Sequence, residues 1–330
     1  MTANMDDFTA ALRGIADPSG KALSDSGRIA APRLAGGIAS LVLDATGLSI
    51  AQGRELEDRI RAALGRLPGV EEVRIARTAE KAERFILAVG SGKGGVGKST
   101  VSANLAIALA RSGKKVGLVD ADIYGPSQPR IMGNEERPEA VEKKMIPVEA
   151  HGVRMLSIGQ LVDKQSALAW RGPMAANALG QLIDGDWGDT EILVIDLPPG
   201  TGDVQLSLMQ KWKPAGAVIV STPQDLALID AARAIDLFRK MDVPILGLVE
   251  NMAGYACPHC GEVSDPFGAG GAEKAAHAMG LDFLGRIPLT MEIREASDAG
   301  LPPAATGGEA GQPFYAIAGE LLKKMNPKAR

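Results

Sequence analysis

Short apolar runs of strand length alternate with helical patterns from residue 85 onward. Residues 85–89 are apolar and end at a glycine, and residues 101–111 repeat apolar positions at helical spacing. The later runs are rich in Val, Ile and Leu, which is typical of strands buried on both faces. They lie at 116–119, 153–158, 192–195, 217–220, 245–249 and 283–287. This alternation predicts an α/β domain with a doubly wound, mostly parallel sheet over residues 85–330.

The first 80 residues follow a different pattern and predict a separate, smaller α/β domain. Helical periodicity occurs near 6–15 and 55–67, and strand-like runs occupy 28–34, 38–43 and 70–75. Residues 77–84 are mainly charged and lack apolar periodicity, which is typical of a linker. We therefore expect domains at 1–80 and 85–330, with residues 81–84 as the end of the linker.

The amino-acid composition and net charge argue against some classes of function. The 330 residues include 40 glycines and 4% aromatic residues, and the formal net charge is −4. A chain without net positive charge lacks attraction to phosphate backbones, so no nucleic-acid partner is expected. No apolar run reaches about 18 residues, and Asp6, Asp7 and Asp17 interrupt the start of the chain, which argues against a spanning helix or a signal peptide. We expect a cytoplasmic protein.

A glycine-rich loop joins the first predicted strand and helix of the larger domain. Residues 90–100 read Gly-Ser-Gly-Lys-Gly-Gly-Val-Gly-Lys-Ser-Thr and fit the pattern G-x-x-x-x-G-K-[ST] over 92–99. Glycines let consecutive amides surround phosphates, while Lys98 supplies a cation and Ser99 a Mg²⁺ ligand. The residues expected to bind ATP are Gly92, Lys93, Gly94, Gly95, Val96, Gly97, Lys98, Ser99 and Thr100.

The same glycines also match the dinucleotide pattern G-x-G-x-x-G, with Asp120 roughly 20 residues further on. A dinucleotide site would leave Lys98 and Ser99 without a role. It would also leave the carboxylate after the run 192–195 unexplained. We therefore favour a nucleoside triphosphate.

Three aspartates follow predicted strands of the same sheet. Asp196 ends the run 192–195, and Asp120 and Asp122 end the run 116–119. A carboxylate at the carboxyl end of a buried parallel strand can hold Mg²⁺ beside a phosphate loop. We expect Asp196 and Asp120 to support Mg²⁺ with Ser99, and Asp122 to orient the attacking water. For each of the three, the alternative is an aspartate that only ends a strand or caps a helix.

The first lysine of the loop, Lys93, separates classes of phosphate-binding loops. The order Lys-Gly-Gly-Val-Gly-Lys-Ser resembles the deviant Walker A family of division-site, partition, arsenite-pump and nitrogenase-reductase ATPases. The resemblance implies that Lys93 reaches the nucleotide of a second subunit and that hydrolysis depends on a homodimer. The catalytic residues would then be Lys93, Lys98, Asp122 and Asp196. A solvated loop lysine is the alternative for Lys93.

The only two cysteines, Cys257 and Cys260, flank Pro258 and His259. Two thiolates at this spacing can hold one edge of a metal site, but zinc and iron–sulfur clusters take four ligands. A homodimer would provide four. A zinc site and a redox dithiol remain alternatives, and His259 is expected to point to solvent.

Together these motifs resemble the Mrp/ApbC-type iron–sulfur cluster carrier ATPases over residues 85–303. The matching segments are 90–100, 120–127, 196–203, 222–225, 250–252, 257–260, 267–271 and 285–289. The resemblance implies a [4Fe-4S] cluster held between subunits at Cys257 and Cys260, with ATP-coupled transfer to apo iron–sulfur proteins. It also implies that Asn251 contacts adenine and that Pro288 lies beside it. Thr290 departs from the family, which commonly has Asp there.

Residues 1–80 resemble a small domain shared with cluster-assembly proteins. Residues 48–52 replace the segment where many such domains carry a cysteine, so this domain supplies no thiol ligand and is expected to bind partners.

A membrane-recruited positioning ATPase is the alternative function for the whole chain. Its candidate membrane element is the amphipathic segment 314–325, although docking on the protein's own sheet is favoured, and no stable membrane association is expected.

Overall fold

The computed structural model describes residues 3–79, 83–161, 173–257 and 259–325. The chain divides into two compact units, Met1–Glu83 and Arg84–Arg330. Each unit has its own buried apolar core.

The first unit packs two helices against a small sheet. Its elements are α1 (Met5–Arg13), β1 (Ile29–Ala35), β2 (Ile38–Asp44), α2 (Ile50–Leu64) and β3 (Glu72–Thr78). The strands β1 and β2 form an antiparallel hairpin through Gly36 and Gly37, which both have positive φ, as a tight two-residue turn requires. Strand β3 runs parallel to β2, because α2 makes the crossover between them.

Two predicted boundaries in this unit are wrong. Helix α2 begins at Ile50 rather than near residue 55, because Ser49 and Gln52 form a reciprocal capping box that starts the helix earlier. Strand β3 continues through Arg77 and Thr78, which pair with β2, so the predicted linker 77–84 begins inside a strand. Residues 80–82 of that linker lie outside the described residues.

The second unit is a doubly wound sheet, which confirms the predicted fold class. Its strands are β4 (Phe85–Gly90), β5 (Val116–Asp120), β6 (Ala140–Val141), β7 (Lys144–Met145), β8 (Val148–Ala150), β9 (Val153–Ser157), β10 (Ile192–Asp196), β11 (Gly216–Ser221), β12 (Ile245–Ala256), β13 (Val263–Ser264) and β14 (Phe283–Leu289). The order in the main sheet is β13-β12-β11-β4-β10-β5-β9-β8, with β14 also paired to β12, and β6 and β7 form a separate two-stranded sheet. Strands β13 and β8 are antiparallel to their neighbours, whereas the interior pairs are parallel.

Helices cover both faces of this sheet. They are α3 (Lys98–Arg111), α4 (Gln128–Ile131), α5 (Ile158–Leu161), α6 (Pro173–Ile183), α7 (Asp203–Trp212), α8 (Asp225–Lys240), α9 (Gly271–Ala278), α10 (Met291–Asp298), α11 (Pro303–Thr306) and α12 (Gln312–Met325). Helix α3 is buried along almost its whole length between the sheet and α12. The glycine loop lies at the start of α3. The connections that leave β4 and β10 run in opposite directions across the sheet, so the loop lies at a topological switch point.

The C-terminal helix α12 docks on its own domain. Phe314, Ile317 and Leu321 are buried in the core beside α3 and β14, which leaves the apolar face of α12 unavailable to a membrane. Among the described residues no helix has the length and apolarity needed to span a bilayer. These observations favour the predicted docking over the membrane-element alternative.

Candidate functional site

The glycine loop leads directly from β4 into α3, as its sequence predicts. Gly95 and Gly97 both adopt left-handed backbone conformations, with φ of 80° and 78°. Gly97 is the N-cap of α3 and offers no side-chain acceptor to the first turn. The amide donors at the start of α3 therefore depend on an outside acceptor, and a phosphate is suited to that role.

Two glycines of the loop are required by close packing. A Cβ on Gly92 would lie 2.0 Å from the carbonyl carbon of Asp230 in α8. A Cβ on Gly97 would lie 2.2 Å from Nδ2 of Asn251. Any side chain at Gly92 would meet backbone, so the loop is held against α8 on one side and β12 on the other.

The loop borders a cleft of ≈ 460 Å³. The predicted residues that line this cleft are Lys93, Gly94, Gly95, Val96, Gly97, Lys98, Ser99, Thr100 and Asp122. The predicted residues that lie outside its lining are Gly92, Asp120, Asp196, Asn251 and Pro288. The structure thus brings the loop and Asp122 together at one surface, and places the other predicted residues behind or beside it.

Sequence reasoning missed part of the cleft. The unpredicted lining residues are Ser91, Ser127, Arg130, Ile131, Pro199, Arg294, Ser297 and Asp298. Arg130 follows the motif-rich segment 120–127 and could have been found by its proximity. The α10 residues stand almost 200 positions after the loop, and no local pattern marks them.

Lys98 forms a buried ion pair with Asp196. The Lys98 ammonium lies 2.6 Å from Oδ1 of Asp196 and 4.0 Å from Oδ2 of Asp122. Ser102 Oγ donates to the same Oδ1 at 2.9 Å, and Gln128 Nε2 donates to Oδ2 at 2.8 Å. These contacts compensate for the burial of the Asp196 carboxylate, and they hold the Lys98 ammonium at the end of β10.

Asp120 is fully buried behind the cleft. Its Oδ2 accepts hydrogen bonds from the amides of Ser127 and Gln128 and from Ser157 Oγ, and its Oδ1 accepts from the amide of Asp122. Burial and, to a smaller extent, repulsion by the neighbouring Asp196 carboxylate together raise the pKa of Asp120 to about 7. Because the protein's own donors occupy both oxygens, this geometry favours a role in holding the start of α4 over the predicted contact with Mg²⁺.

Replacing Asp120 with Ala distinguishes these two roles. We expect the free energy of unfolding to fall by about 3 kcal/mol or more without nucleotide, because several buried donors lose their acceptor. Chemical denaturation measures this loss. Asp298→Ala, which removes an exposed carboxylate beside the same cleft, is the control and should change stability by about 0.5 kcal/mol or less. Unchanged stability of Asp120→Ala, with a weakened Mg²⁺ dependence of ATPase activity, would restore the metal-ligand interpretation.

Asp122 differs from Asp120 because its side chain reaches the cleft. Its Oδ1 accepts from the amide of Gly125 at 3.3 Å, and its Oδ2 lies near the Lys98 ammonium. Burial raises the pKa of Asp122, Lys98 opposes that effect, and Asp196 adds to it. A carboxylate of raised basicity on the lining of this cleft is compatible with the predicted role in orienting water, which stays a prediction.

Lys93 is half-buried on the lining of the cleft. Its carbonyl accepts a hydrogen bond from Ser91 Oγ at 2.9 Å, which fixes the backbone of the loop. No ion pair engages its ammonium within the described parts of the chain. The Lys93 charge is therefore available to an anion, unlike that of Lys98.

The oxygen donors beside the loop fit a magnesium ion. The Ser99 hydroxyl and the Asp122 carboxylate line the cleft, and the Asp196 carboxylate lies immediately behind Lys98. Gln128 Oε1 is buried in the same network and finds no hydrogen-bond donor among the described residues. Hard oxygen ligands and an acceptor for metal-bound water are what Mg²⁺ requires.

Asn251 contacts the glycine loop rather than the open cleft. Its Nδ2 donates to the carbonyl of Val96 at 2.8 Å, and the residue is 8% exposed. Pro288 lies in β14, between residues that pair with β12. The adenine contacts implied for both residues by resemblance stay predictions, but the Asn251 amide is already engaged with the loop backbone.

The two cysteines lie at the tip of the β12–β13 hairpin. The amide of Cys257 donates to the Glu262 carbonyl at 2.9 Å, and the amide of Gly261 donates to the Cys257 carbonyl at 2.8 Å. Cys260 is exposed and Cys257 partly so. Hydrogen bonds from the amides of Cys260 and then His259 lower the pKa of the Cys257 thiol. This environment favours the thiolate, which is the form that binds metals.

The hairpin supplies an incomplete ligand set. Within the described ranges no group of three or more His, Cys, Asp or Glu side chains is placed to hold a metal ion. His259 is exposed, as predicted, and Pro258 lies outside the described residues. Among the described residues, the hairpin thus provides two thiol ligands, fewer than the four that zinc or an iron–sulfur cluster takes.

Two family profiles match the chain. The profile described as the NUBPL iron-transfer P-loop NTPase matches residues 83–322. The profile described as an iron-sulfur cluster assembly protein matches residues 6–75. Together they account for both units of the structure.

Individual proteins that resemble this chain agree with the family profiles. An iron-sulfur cluster carrier protein of Deinococcus radiodurans is 44% identical over 337 residues, covering 96% of this chain and 94% of that protein. A nucleotide-binding protein of Archaeoglobus fulgidus in complex with ADP is 39% identical, with a TM-score of 0.61 over 70% of this chain and 91% of its own. The cell division ATPase MinD of Pyrococcus furiosus is 25% identical, with a TM-score of 0.57 over 73% of this chain and 100% of its own.

Proposed function

We propose that this chain, which belongs to the family of NUBPL iron-transfer P-loop NTPases, binds ATP and carries an iron–sulfur cluster to apo-proteins. The observation that carries this proposal is a pair of cysteines, partly or fully exposed, that directly follows β12, the strand whose Asn251 contacts the glycine loop. The relative from Deinococcus radiodurans is named an iron-sulfur cluster carrier protein, which supports the same activity here. The cluster is cargo, because an exposed hairpin can release it to another protein.

We infer a homodimer that holds one [4Fe-4S] cluster between two hairpins. Each chain contributes Cys257 and Cys260, and such a cluster takes four thiolates. Two copies related by a two-fold axis supply the complete set. Lys93, whose ammonium forms no ion pair with the described residues, supports the same arrangement, because a lysine directed across that axis would reach the partner's nucleotide.

The nucleotide chemistry follows from the groups around the loop. The amides at the start of α3 and Lys98 bind the phosphates, Asp122 orients the attacking water, and Lys93 of the partner subunit neutralises charge on the transferring phosphoryl group. Once Lys98 turns from Asp196 to the phosphates, Asp196 would lose one of its donors and could hold Mg²⁺ with Ser99, which would supply further charge neutralisation. The catalytic lysine is thus provided only by the dimer, so hydrolysis depends on subunit association.

Exposed apolar side chains lie where this dimer would form. Leu226 and Ile229 are 72% and 55% exposed on α8, the helix whose backbone packs against Gly92 of the loop. Tyr124, which follows Asp122, is 75% exposed. Large apolar side chains around a functional loop are typical of an interaction surface.

Replacing Ile229 with Asp should weaken this dimer. We expect the dimer dissociation constant with bound nucleotide to rise about tenfold or more, because the new charge would be buried in an apolar interface. Analytical ultracentrifugation with an ATP analogue measures the constant. Leu301→Asp is the control, since Leu301 is similarly exposed, at 53%, but lies beyond α10. Equal dimer dissociation constants for Ile229→Asp and the wild type would show that α8 is not part of the interface.

Anaerobic reconstitution tests the proposed cargo. The full chain is incubated with ferrous iron, sulfide and thiol, desalted, and analysed for iron, acid-labile sulfide and molecular mass. The proposal predicts four irons and four sulfides per dimer. One zinc per dimer from metal-supplemented samples, with no uptake of iron and sulfide, would refute the carrier function and support the zinc-stabilised dimer.

We also infer that the first unit binds partner proteins of cluster assembly. Its profile match to iron-sulfur cluster assembly proteins covers residues 6–75, and it contains no cysteine. A domain without a thiol contributes to cluster transfer through protein contacts. The recipients and donors would therefore be apo iron–sulfur proteins and other cluster-assembly proteins.

A further inference from the structure

We infer that Asn251 is a positioning residue that transmits the state of the glycine loop to the cysteine hairpin through a bulge in β12. The inference rests on the proposed function, because it concerns how nucleotide binding alters the cluster-binding thiols. Resemblance assigns Asn251 to the adenine. In the structure, the side-chain amide of Asn251 donates to the loop backbone.

The first link joins Asn251 to the loop. Its Nδ2 donates to the Val96 carbonyl, and the same Nδ2 lies 2.2 Å from the position of a Cβ on Gly97. The terminal methyl of Met252 lies 3.7 Å from that position. Side chains of two successive β12 residues thus pack on the two residues that precede Lys98, and a shift of the loop must displace them.

Nucleotide binding supplies a reason for the loop to shift. Lys98 is bonded to Asp196 at 2.6 Å in a buried site. A phosphate in the loop competes with this carboxylate for the ammonium, and the first turn of α3 must adjust as Lys98 turns toward the phosphate. Val96 and Gly97 connect directly to that turn.

The second link is an irregular segment of β12. Asn251 pairs with Ile287 and Tyr255 pairs with Leu289, so three residues of β12 stand opposite one residue of β14. Within this bulge Met252 has a φ of 58° and Gly254 a φ of 74°. A left-handed conformation is unfavourable for methionine, so contacts with its surroundings must hold the segment in this conformation.

Pro288 is the single residue opposite the bulge. It has no amide hydrogen, so it leaves no ladder donor unpaired when the facing strand departs from it. The bulge can therefore rearrange without breaking a hydrogen bond donated by the backbone of residue 288. This gives Pro288 a structural role that does not depend on adenine.

The strand is anchored on the side away from the cysteines. Glu250 is fully buried, its carboxylate accepts from the amides of Gly270 and Ala272, and Arg286 Nε donates to it at 3.0 Å. Because Glu250 is held in place, a displacement of Asn251 would move the residues that follow it in β12, on the side of the cysteines. Six residues after Asn251 the chain reaches Cys257, in a hairpin joined to β13 by the pairs of Tyr255 and Ala256.

Cysteine labelling tests this link in the cluster-free, reduced full-length protein. The rates of iodoacetamide alkylation at Cys257 and Cys260 are measured by mass spectrometry, with and without a saturating non-hydrolysable ATP analogue. With only two cysteines in the chain, the signal reports on the hairpin alone. We expect the analogue to change the wild-type rate about fivefold or more, the lower end of allosteric coupling. The assay uses neither iron nor sulfide, so it is independent of cluster reconstitution.

The variant Asn251→Asp keeps the side-chain shape but replaces the donor with an oxygen that repels the Val96 carbonyl. At saturating analogue we expect its labelling rates with and without nucleotide to agree. Asn134→Asp is the matched control, because Asn134 Nδ2 also donates to a backbone carbonyl, that of Glu149, and this variant should retain the wild-type ratio. Met252→Gly removes the backbone strain and should also reduce the ratio, which decides the matter if Asn251→Asp does not fold.

Three results would overturn the inference. The first is a wild-type labelling rate that does not respond to the analogue. The second is a full wild-type response in Asn251→Asp or, where that variant does not fold, in Met252→Gly. The third is a folded Asn251→Asp that cannot be saturated with nucleotide, because Asn251 would then belong to the nucleotide site itself.

Discussion

Cys257→Ser and Cys260→Ser are each expected to abolish stable cluster binding, with iron and sulfide falling from four per dimer to near zero. Each substitution removes two of the four thiolates of the dimer, and a serine hydroxyl is not deprotonated at neutral pH to replace them. Iron and sulfide analysis after anaerobic reconstitution and desalting measures the loss. Nucleotide binding should persist, because neither cysteine lines the cleft beside the glycine loop.

The control for this prediction is His259→Ala. His259 lies between the cysteines and is exposed, so its removal tests whether any change within the hairpin disrupts the cluster. We expect it to retain four irons per dimer. A full cluster complement in either serine variant, or loss of the cluster in His259→Ala, would contradict the ligand assignment.

Lys93→Ala is expected to lower the ATPase turnover number by about a thousandfold, with a much smaller change in nucleotide affinity. A cation that acts mainly on the transition state contributes factors of this size in phosphoryl-transfer enzymes. Lys98→Ala should instead weaken nucleotide binding, because Lys98 belongs to the loop that binds the phosphates in the same subunit. Steady-state kinetics and equilibrium titration with an ATP analogue separate the two effects.

Mixing two inactive variants tests whether Lys93 acts across the dimer. A mixed dimer of Lys93→Ala with Asp122→Asn contains one complete site, composed of Asp122 from the first chain and Lys93 from the second. An equal mixture should recover about a quarter of wild-type activity, since half of the randomly paired dimers hold one working site of two. No recovery beyond the separate variants would show that Lys93 and Asp122 serve the same subunit's nucleotide.

The doubly wound sheet can be predicted from the sequence because buried parallel strands leave continuous apolar runs. The predicted strands of the larger unit all exist, and the glycine loop joins β4 to α3 where its pattern requires. The boundaries at α2 and β3 depend on a capping box and on strand pairing, and apolar periodicity carries little information on either. The short pair β6 and β7, which forms a separate two-stranded sheet, is not predicted because strands of two residues show no period.

The candidate site is predictable where its chemistry is local in sequence. The loop, Asp122 and the cysteine hairpin are found from short motifs. The role of Asp120 depends on donors from α4 and β9, and the cleft wall at α10 comes from a distant part of the chain. The contact of Asn251 with Val96 joins positions 155 residues apart, and only the three-dimensional fold shows it.

Transfer of a reconstituted cluster tests the central claim most directly. The dimer loaded with its cluster is mixed with an apo-enzyme that needs a [4Fe-4S] cluster, with an iron chelator present, and recovery of enzyme activity is followed with and without ATP. We predict faster recovery than with equal free iron and sulfide, a rate that changes on adding ATP, and no ATP effect with Lys98→Ala. Recovery no faster than with free iron and sulfide, or identical with and without ATP, would contradict an ATP-dependent cluster carrier.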